Sequence, residues 1–585
     1  MTRLQLKTNS NFDWRSISEV LLAISILIYG VWRTSSGLEN QMDIRFYDES
    51  YYLTQGIFHP VNSWLADYSP LYSLHYRFFS VFAGQDPINL YYQNYRFWAF
   101  IISLTVFFSL RFSGVNYWFS LIWALCSLSA EINYPLWPKA GHLAMLGVFI
   151  SILGVYFLKF RLLQSVLFCS GMSFLIAWCR PEFVLGTCFG LLFSIYLFWK
   201  NGFQTFSPRY LWIGIPFILA CICWLNWGLP IGNSGRGLVA IGQHYVHNWR
   251  NFSGNNTTEL LWDWINWREQ FEKDFGTSEN LLTAVLNNPG AMLSHIWFNM
   301  KALPGRCYLY FFETLLPNRW LGLPLGTSIV VLWVSLEFSH KFKVLLEWFE
   351  KARVKFFRLA PVLLPICIPS LTAALVFQPR PHYLIPLFPV FLWAAGSLIK
   401  QYSFQFVHAK VKTSIGLAFI IGTLYFLPDS KAYFRIEKDK NSGLSKSNQL
   451  NYFQPLTSTG LNEKTIAKTL VDMDWPKGTR MFDASTGYTD YLGQRVERFG
   501  KVGFEINYPI LSDFGGFIQK KNLNAIFLRK DFFYDRFFSR QKSWQNLKAN
   551  WASLGWDKIP VGQNGDSLFL KESHFQNVHK TKKTR

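Results

Sequence analysis

The sequence is short of charge, and shortest of acid. Only 16% of its 585 residues are charged, and Lys and Arg outnumber Asp and Glu by 57 to 36. An ordinary soluble chain carries about a quarter charged residues. Its eight cysteines form no Cys-x-x-Cys pair and no Cys/His ligand spacing, which excludes a disulfide scaffold and a zinc module. Seven of the eight fall in or beside apolar blocks, where a thiol acts as a small buried hydrophobe. No nucleotide-binding fingerprint is present. No small-residue cleavage site follows the first apolar run, "SEVLLAISILIYGVW", so it reads as a retained anchor rather than a removed signal.

What the chain has instead is apolar length. Half of it is hydrophobic and 18% is aromatic. Runs of about 18 or more apolar residues read as membrane spans. About eleven such blocks occur, centred near residues 25, 102, 122, 150, 171, 191, 219, 331, 368, 391 and 420. The expected fold class is mainly α: a polytopic helical membrane protein with a C-terminal soluble α/β domain. The net charge of +21 does not signal nucleic acid, because its placement follows the membrane. Lys and Arg in short loops gather on the cytoplasmic side. With Arg3, Lys7 and Arg15 inside, the basic loops at Lys159, Lys200, His340 and Lys400 all fall inside as well. The N-terminus is then cytoplasmic and the C-terminal domain lies outside. A bacterial inner membrane is favoured over the endoplasmic reticulum.

Four regions are expected: residues 1–228, a membrane region with a large first outer loop; 229–322, a long outer loop; 323–429, further spans; and 430–585, the soluble outer domain. The first loop, "SPLYSLHYRFFSVFAGQDPINLYYQNYRFW", is dense in amphipathic aromatics and predicts one or two short surface helices. In the last region, "GTRMFDAS", "NLNAIFLRK" and "DSLFLKE" predict strands, and "FIQKKN" and "QKSWQNLKANWASLGW" predict helices. Sequons stand at Asn251, Asn255 and Asn256.

The chemistry gathers in the outward loops. "DIRFYDESYYLTQG" sets Asp43, Asp48 and Glu49 beside Tyr51 and Tyr52. Crowded carboxylates share charge badly, which suits a general base or a cation site. Cations stand in other outward segments: Lys139, Arg180 in "AWCRPEF", Arg236 among glycines, and Arg380 with His382 in "FQPRPHYLIPLFP". Arg pairs phosphate through two parallel hydrogen bonds, so converging cations beside a carboxylate point to phosphate chemistry. The plainer readings are an exposed acidic loop and snorkelling anchors. His244 and His247 share a helix face, and Tyr245 lies between them; two histidines alone make a weak metal signal.

Four segments resemble the GT-C glycosyltransferases. "DESYYLTQG" is similar to their acidic pair in the first outer loop, and "YSPLYSLHYRFFSVFAG" to their "PPL" segment, with Ser in place of the first Pro. "RPE" after the fifth span and "RPHYLIPLFPVFLW" resemble two basic positions, the second with Pro381 and His382 between its Arg and Tyr. The C-terminal α/β region is similar to that of the polyprenyl-phosphate-sugar branch, which includes protein mannosyltransferases and lipid A aminoarabinose transferases. The resemblance implies an inverting sugar transfer from a polyprenyl phosphate to an acceptor hydroxyl of a lipid, polysaccharide or protein. It implies Asp48 as base, with Glu49 orienting the acceptor or holding a divalent cation. Arg180, Arg380, His382, Arg236 and Lys139 would face the donor phosphate. Asp43, Tyr51, Tyr52, His244 and Tyr245 would line the sugar or acceptor site. Two other classes fit the same loops: a transporter or flippase for lipid-linked sugars, and a catalytically inactive envelope-assembly relative. A transporter calls for broken, polar spans at mid-membrane, and the apolar blocks are largely uninterrupted.

Overall fold

The computed structural model describes residues 14–44, 48–128, 130, 139–201, 208–231, 236–253, 267–278, 281–313, 363–401, 409–427, 462–483, 487–499, 513–528, 541–562 and 565–575. Five helices are long and apolar enough to cross a membrane: Ile17–Asn40, Pro87–Ser113, Ala140–Leu158, Phe183–Lys200 and Arg209–Trp227. Four shorter apolar helices, Tyr117–Ser127, Leu162–Ile176, Leu363–Val376 and Gly416–Tyr425, answer to four more of the expected blocks. The block near 391 falls on helix Phe388–Gln401, and the one near 331 lies outside the described residues. Eleven crossings therefore reduce to five full-length ones among the described residues.

We label the first elements α1 (Trp14–Ser35), α2 (Asp48–Phe58), α3 (Pro70–Ala83), α4 (Pro87–Ser113), α5 (Tyr117–Ser127), α6 (Ala140–Leu158), α7 (Leu162–Ile176), α8 (Phe183–Asn201), α9 (Arg209–Trp227) and α10 (Arg236–Ser253). Large apolar side chains stay exposed along the long helices, including Leu192, Ile195 and Leu225. So much bare apolar surface marks a helix bundle whose solvent is not water.

Contacts between the ends of the apolar helices sort into two groups. At one end Tyr92 at the start of α4 donates to the Met42 carbonyl (2.7 Å), Ser69 donates to the Cys179 carbonyl (2.7 Å), and Trp178 donates to the Gly228 carbonyl (3.0 Å). At the other end Arg111 lies 4.0 Å from Glu19, and Arg209 donates to the Lys159 carbonyl (2.8 Å). The candidate site occupies the first end.

The expected surface helices are α2 and α3. Pro70 at the first turn of α3 starts that helix where no amide donor is needed. The inner face of α3 buries Tyr72, Ser73 and Tyr76, while Phe78, Val81 and Phe82 are exposed on the opposite side. Gly56 lets α2 approach α3: a Cβ there would sit 2.4 Å from the Ser73 carbonyl. Arg77, whose Nε donates to the Gly56 carbonyl (2.8 Å), closes the end of α2. Arg96 does the same for α1 through the Ser35 carbonyl (3.2 Å) and pairs with Glu39.

The expected long outer loop contains α10 and the helices Trp267–Phe275, Leu281–Asn287 and Pro289–Glu313. They close on their own core of Ile241, Tyr245, Trp267, Phe271 and Phe275. Asn255 and Asn256 lie outside the described residues.

The C-terminal region forms a five-stranded sheet in the order β2-β1-β3-β5-β4. Its strands are β1 (Arg480–Asp483), β2 (Glu497–Phe499), β3 (Ala525–Leu528), β4 (Trp556–Val561) and β5 (Asp566–Lys571). β1 runs parallel to β2 and β3, while β5 is antiparallel to β3 and β4. Helices Phe514–Lys520 and Lys542–Ala549 cover one face through Phe514, Phe517 and Trp544. The other face merges with the core under α2 and α4, where Met481, Leu568 and Leu570 join Tyr52 and Tyr92.

Asp43 makes that junction. Its Oδ2 accepts from the Glu463 amide (2.8 Å) and its Oδ1 from the Lys464 amide (2.7 Å) and the Ile44 amide (2.9 Å). It thus takes the place of an N-cap for helix Asn462–Val471 from far away in sequence. Replacing Asp43 by Ala should weaken this docking by about 1 to 2 kcal/mol. Hydrogen exchange at the Glu463 and Lys464 amides should accelerate, with the membrane bundle unchanged.

Candidate functional site

Asp48 and Glu49 begin α2, where carboxylates meet the positive end of the helix. They are neighbours on the helix and face different surroundings. The Asp48 carboxyl is 29% exposed and Glu49 is buried at 1%.

Glu49 is enclosed. Oε1 accepts from the Tyr72 hydroxyl (2.7 Å), from the Tyr76 hydroxyl and, at 3.4 Å, from Asn94. Oε2 accepts from the Lys139 amide (3.0 Å), the residue at the start of α6. The Asn94 amide also donates to both tyrosine oxygens, at 2.9 and 2.8 Å. Burial pushes the Glu49 carboxyl up to about 7, against the pull of the two tyrosines and the Lys139 amide. Burial also pushes the Lys139 ammonium down to about 7, opposed by Glu49. The Lys139 Nζ sits 4.3 Å over the Tyr95 ring and 3.5 Å from His142 Nε2, and its side chain is fully buried.

Two expectations change here. Glu49 has both oxygens engaged by protein donors, so its place is that of a positioning residue rather than a cation ligand or an acceptor contact. Lys139, expected to face a phosphate, belongs to the same buried network. Among the described residues no cluster of three or more His, Cys, Asp or Glu is placed to hold a metal ion.

Asp48 faces the outer loop. Its Oδ2 lies 3.0 Å from Arg236 Nη2, which also donates to the Tyr52 hydroxyl (2.8 Å). Arg236 Nη1 donates to the Asp67 carbonyl (2.8 Å), and the guanidinium lies over the Tyr68 ring at 4.4 Å. Tyr51 packs on Tyr68, with ring centroids 5.1 Å apart.

Arg180 follows α7 and pairs with Glu182, Nε at 2.8 Å and Nη2 at 2.6 Å. Its guanidinium covers the Tyr383 ring at 4.6 Å. Arg380 donates through Nε to the Gln378 side-chain oxygen Oε1 (3.0 Å), which His244 Nδ1 also approaches at 3.2 Å. Burial pushes Arg380 down to about 10, offset partly by Tyr383 and Tyr310 and reinforced by Arg306. Gly141 seats this segment on α6: a Cβ there would lie 2.9 Å from the His382 carbonyl.

Arg180, Arg236 and Arg380 all act on one residue, His382. Burial and then the charges of Arg180, Arg380 and Arg236 push His382 well below its ordinary value. His382 is thus a neutral group among three guanidiniums, not a fourth cation. Tyr383 feels the same three arginines.

Two other expected contacts are placed elsewhere. Asp43 is committed to the C-terminal domain, as described above. Tyr245 donates to Asp274 (2.7 Å) and packs in the outer-loop core. His244 remains beside the site, pushed down by burial and by Arg380 and His382. Sequence reading missed Tyr72, Tyr76 and Asn94 as a cage, and Glu182 and Gln378 as holders of Arg180 and Arg380. The spacing of Tyr72 and Tyr76, four apart on the buried face of α3, was the available signal.

Replacing Glu49 by Ala should destabilise the fold by about 3 to 5 kcal/mol, because it strands a buried ammonium and several hydroxyl and amide donors. The pH dependence has a sign. A carboxyl raised from 4.5 to about 7 keeps its proton in the folded state, so stability is full below 4.5 and falls as pH rises through about 7. Thermal unfolding of Glu49→Gln should lack this slope, which the native protein should display.

Comparison with known proteins finds no family model that matches the chain and no curated protein that matches it.

Proposed function

We propose that the protein is an integral membrane glycosyltransferase of the GT-C type, moving a sugar from a polyprenyl phosphate to an acceptor hydroxyl. One observation carries this reading. A part-exposed carboxylate, Asp48, stands with Arg236 at the end of the bundle where Arg180 and Arg380 also converge. That is the arrangement a base and a phosphate leaving group require of one cavity.

The roles follow from the positions. Asp48 accepts the proton of the acceptor hydroxyl as its oxygen bonds to the anomeric carbon, and the bond from that carbon to the phosphate oxygen breaks. The prenyl phosphate leaves with the bonding electrons. Arg180, Arg236 and Arg380 stabilise the charge that grows on it. Fixed charges in a low-dielectric site act more strongly than in water and need no reorganisation. Glu49 keeps Asp48 in place. The aromatic wall of Tyr51, Tyr52 and Tyr68 offers faces to a sugar ring.

Sidedness supports the same reading. The bundle end opposite the site carries Arg111, Lys159 and Arg209, which the positive-inside rule assigns to the cytoplasm. The site then faces the outer compartment, with the N-terminus cytoplasmic and the C-terminal domain outside. The exposed Phe78, Val81 and Phe82 of α3 suit a helix lying at the headgroup level beside the site.

Incubation of purified protein with a panel of labelled prenyl-phosphate sugars tests the reaction; no transfer from any of them argues for a transporter or an inactive relative. Replacing Asp48 by Asn should lower turnover by roughly 10²- to 10⁴-fold, the usual contribution of a positioned base, with insertion and folding intact. Replacing Arg180 by Ala should raise the donor Kd more than the acceptor Kd; equal shifts would remove it from the phosphate site.

A further inference from the structure

We propose that Arg236 is shared by two anions in turn: it holds Asp48 while the site is empty and passes to the donor phosphate when that arrives, so the donor binds first and frees the base. The inference rests on the reading above and adds an order of events to it.

The three arginines are held differently. Arg180 is 9% exposed, and Nε and Nη2 both meet the single carboxylate of Glu182, an internal pair two residues away. Arg380 is held by the neutral amide of Gln378. Arg236 alone of the three pairs with the residue placed to take the proton. With Arg236 Nη2 on Asp48 Oδ2 at 3.0 Å, one acceptor position of that oxygen stays engaged until the guanidinium moves.

The rest of the Arg236 setting does not depend on Asp48. The Asp67 carbonyl, the Tyr52 hydroxyl and the Tyr68 face hold the guanidinium from neutral groups. It can therefore exchange one anion for another without a large movement. The energetics permit it. Both partners are partly open to solvent, at 20% and 29% exposure, and such ion pairs contribute roughly 0.2 to 1 kcal/mol. The donor's phosphodiester offers a two-pronged acceptor of the same single charge, and the attraction of Arg180 and Arg380 adds to that of Arg236, so it competes for Arg236. A buried pair such as Arg180–Glu182 is too costly to open in the same way.

The test is binding of a sugar-free polyprenyl phosphate to the full chain in lipid nanodiscs, which needs no turnover. Removing the competing carboxylate by Asp48→Asn should tighten binding about two- to fivefold, and Asp48→Ala should do the same, which guards against a folding defect in one variant. Arg236→Gln should weaken binding, and by a larger factor in the Asp48→Asn protein than in the native one. Unchanged or weaker binding in both folded Asp48 variants overturns the exchange and leaves the glycosyltransferase reading standing. No binding of prenyl phosphate by the native protein overturns both.

Discussion

A single buried carboxylate holds the site together. Glu49 is the point where α2, α3, α4 and the start of α6 meet, through Tyr72, Tyr76, Asn94 and the Lys139 amide. Taking a carboxylate out of water costs several kcal/mol, and only a full set of donors offsets it. The cage supplies them and leaves little choice of geometry, because the donors come from three elements: α3, α4 and the start of α6. An apolar side chain of similar size would remove the desolvation cost and strand the donors. The result is rigidity directly beside Asp48.

The same end of the bundle gathers several guanidiniums. Arg180 has its own carboxylate in Glu182, and Arg236 has Asp48. Arg380 lies against Gln378, and burial weakens its hold on its proton to about 10. Like charges gathered in a poorly screened place repel, and the energy is recovered when an anion enters. His382 responds to these charges by staying neutral.

The legible parts of the sequence were those with local signals. The acidic pair, the aromatic surface helices and the arginines at helix ends could all be read from residue type and spacing. β1, β3 and β5 could be read because "RMFD", "AIFL" and "DSLFLK" are compact apolar runs. β2 could not, since "ERF" is three residues without a pattern. β4 was not read, since the expected helix ends on its first residue, Trp556, and "WDKIPV" carries Pro560, which the sheet tolerates because β4 is an edge strand. The Asp43 clamp was illegible for another reason, as its partner amides belong to residues 463 and 464. The separate fates of Asp48 and Glu49 were illegible too, because adjacency in sequence says nothing about which face of α2 meets which wall.

That last point explains why three polar residues stand in a row. Successive side chains on an α-helix point about 100° apart, and α2 is surrounded. Asp48 turns to the outer loop and meets Arg236. Glu49 turns to the membrane bundle and meets the tyrosine cage. Ser50 turns to the C-terminal domain and donates to Asp490 (2.9 Å), which in turn pairs with Arg498. Further along the helix, Gln494 of that domain donates to the Phe58 carbonyl (2.6 Å). Each region of the chain therefore holds the same short helix from its own side. A displacement of any one of them moves Asp48, so the C-terminal domain, though built around its own sheet, is mechanically coupled to Asp48.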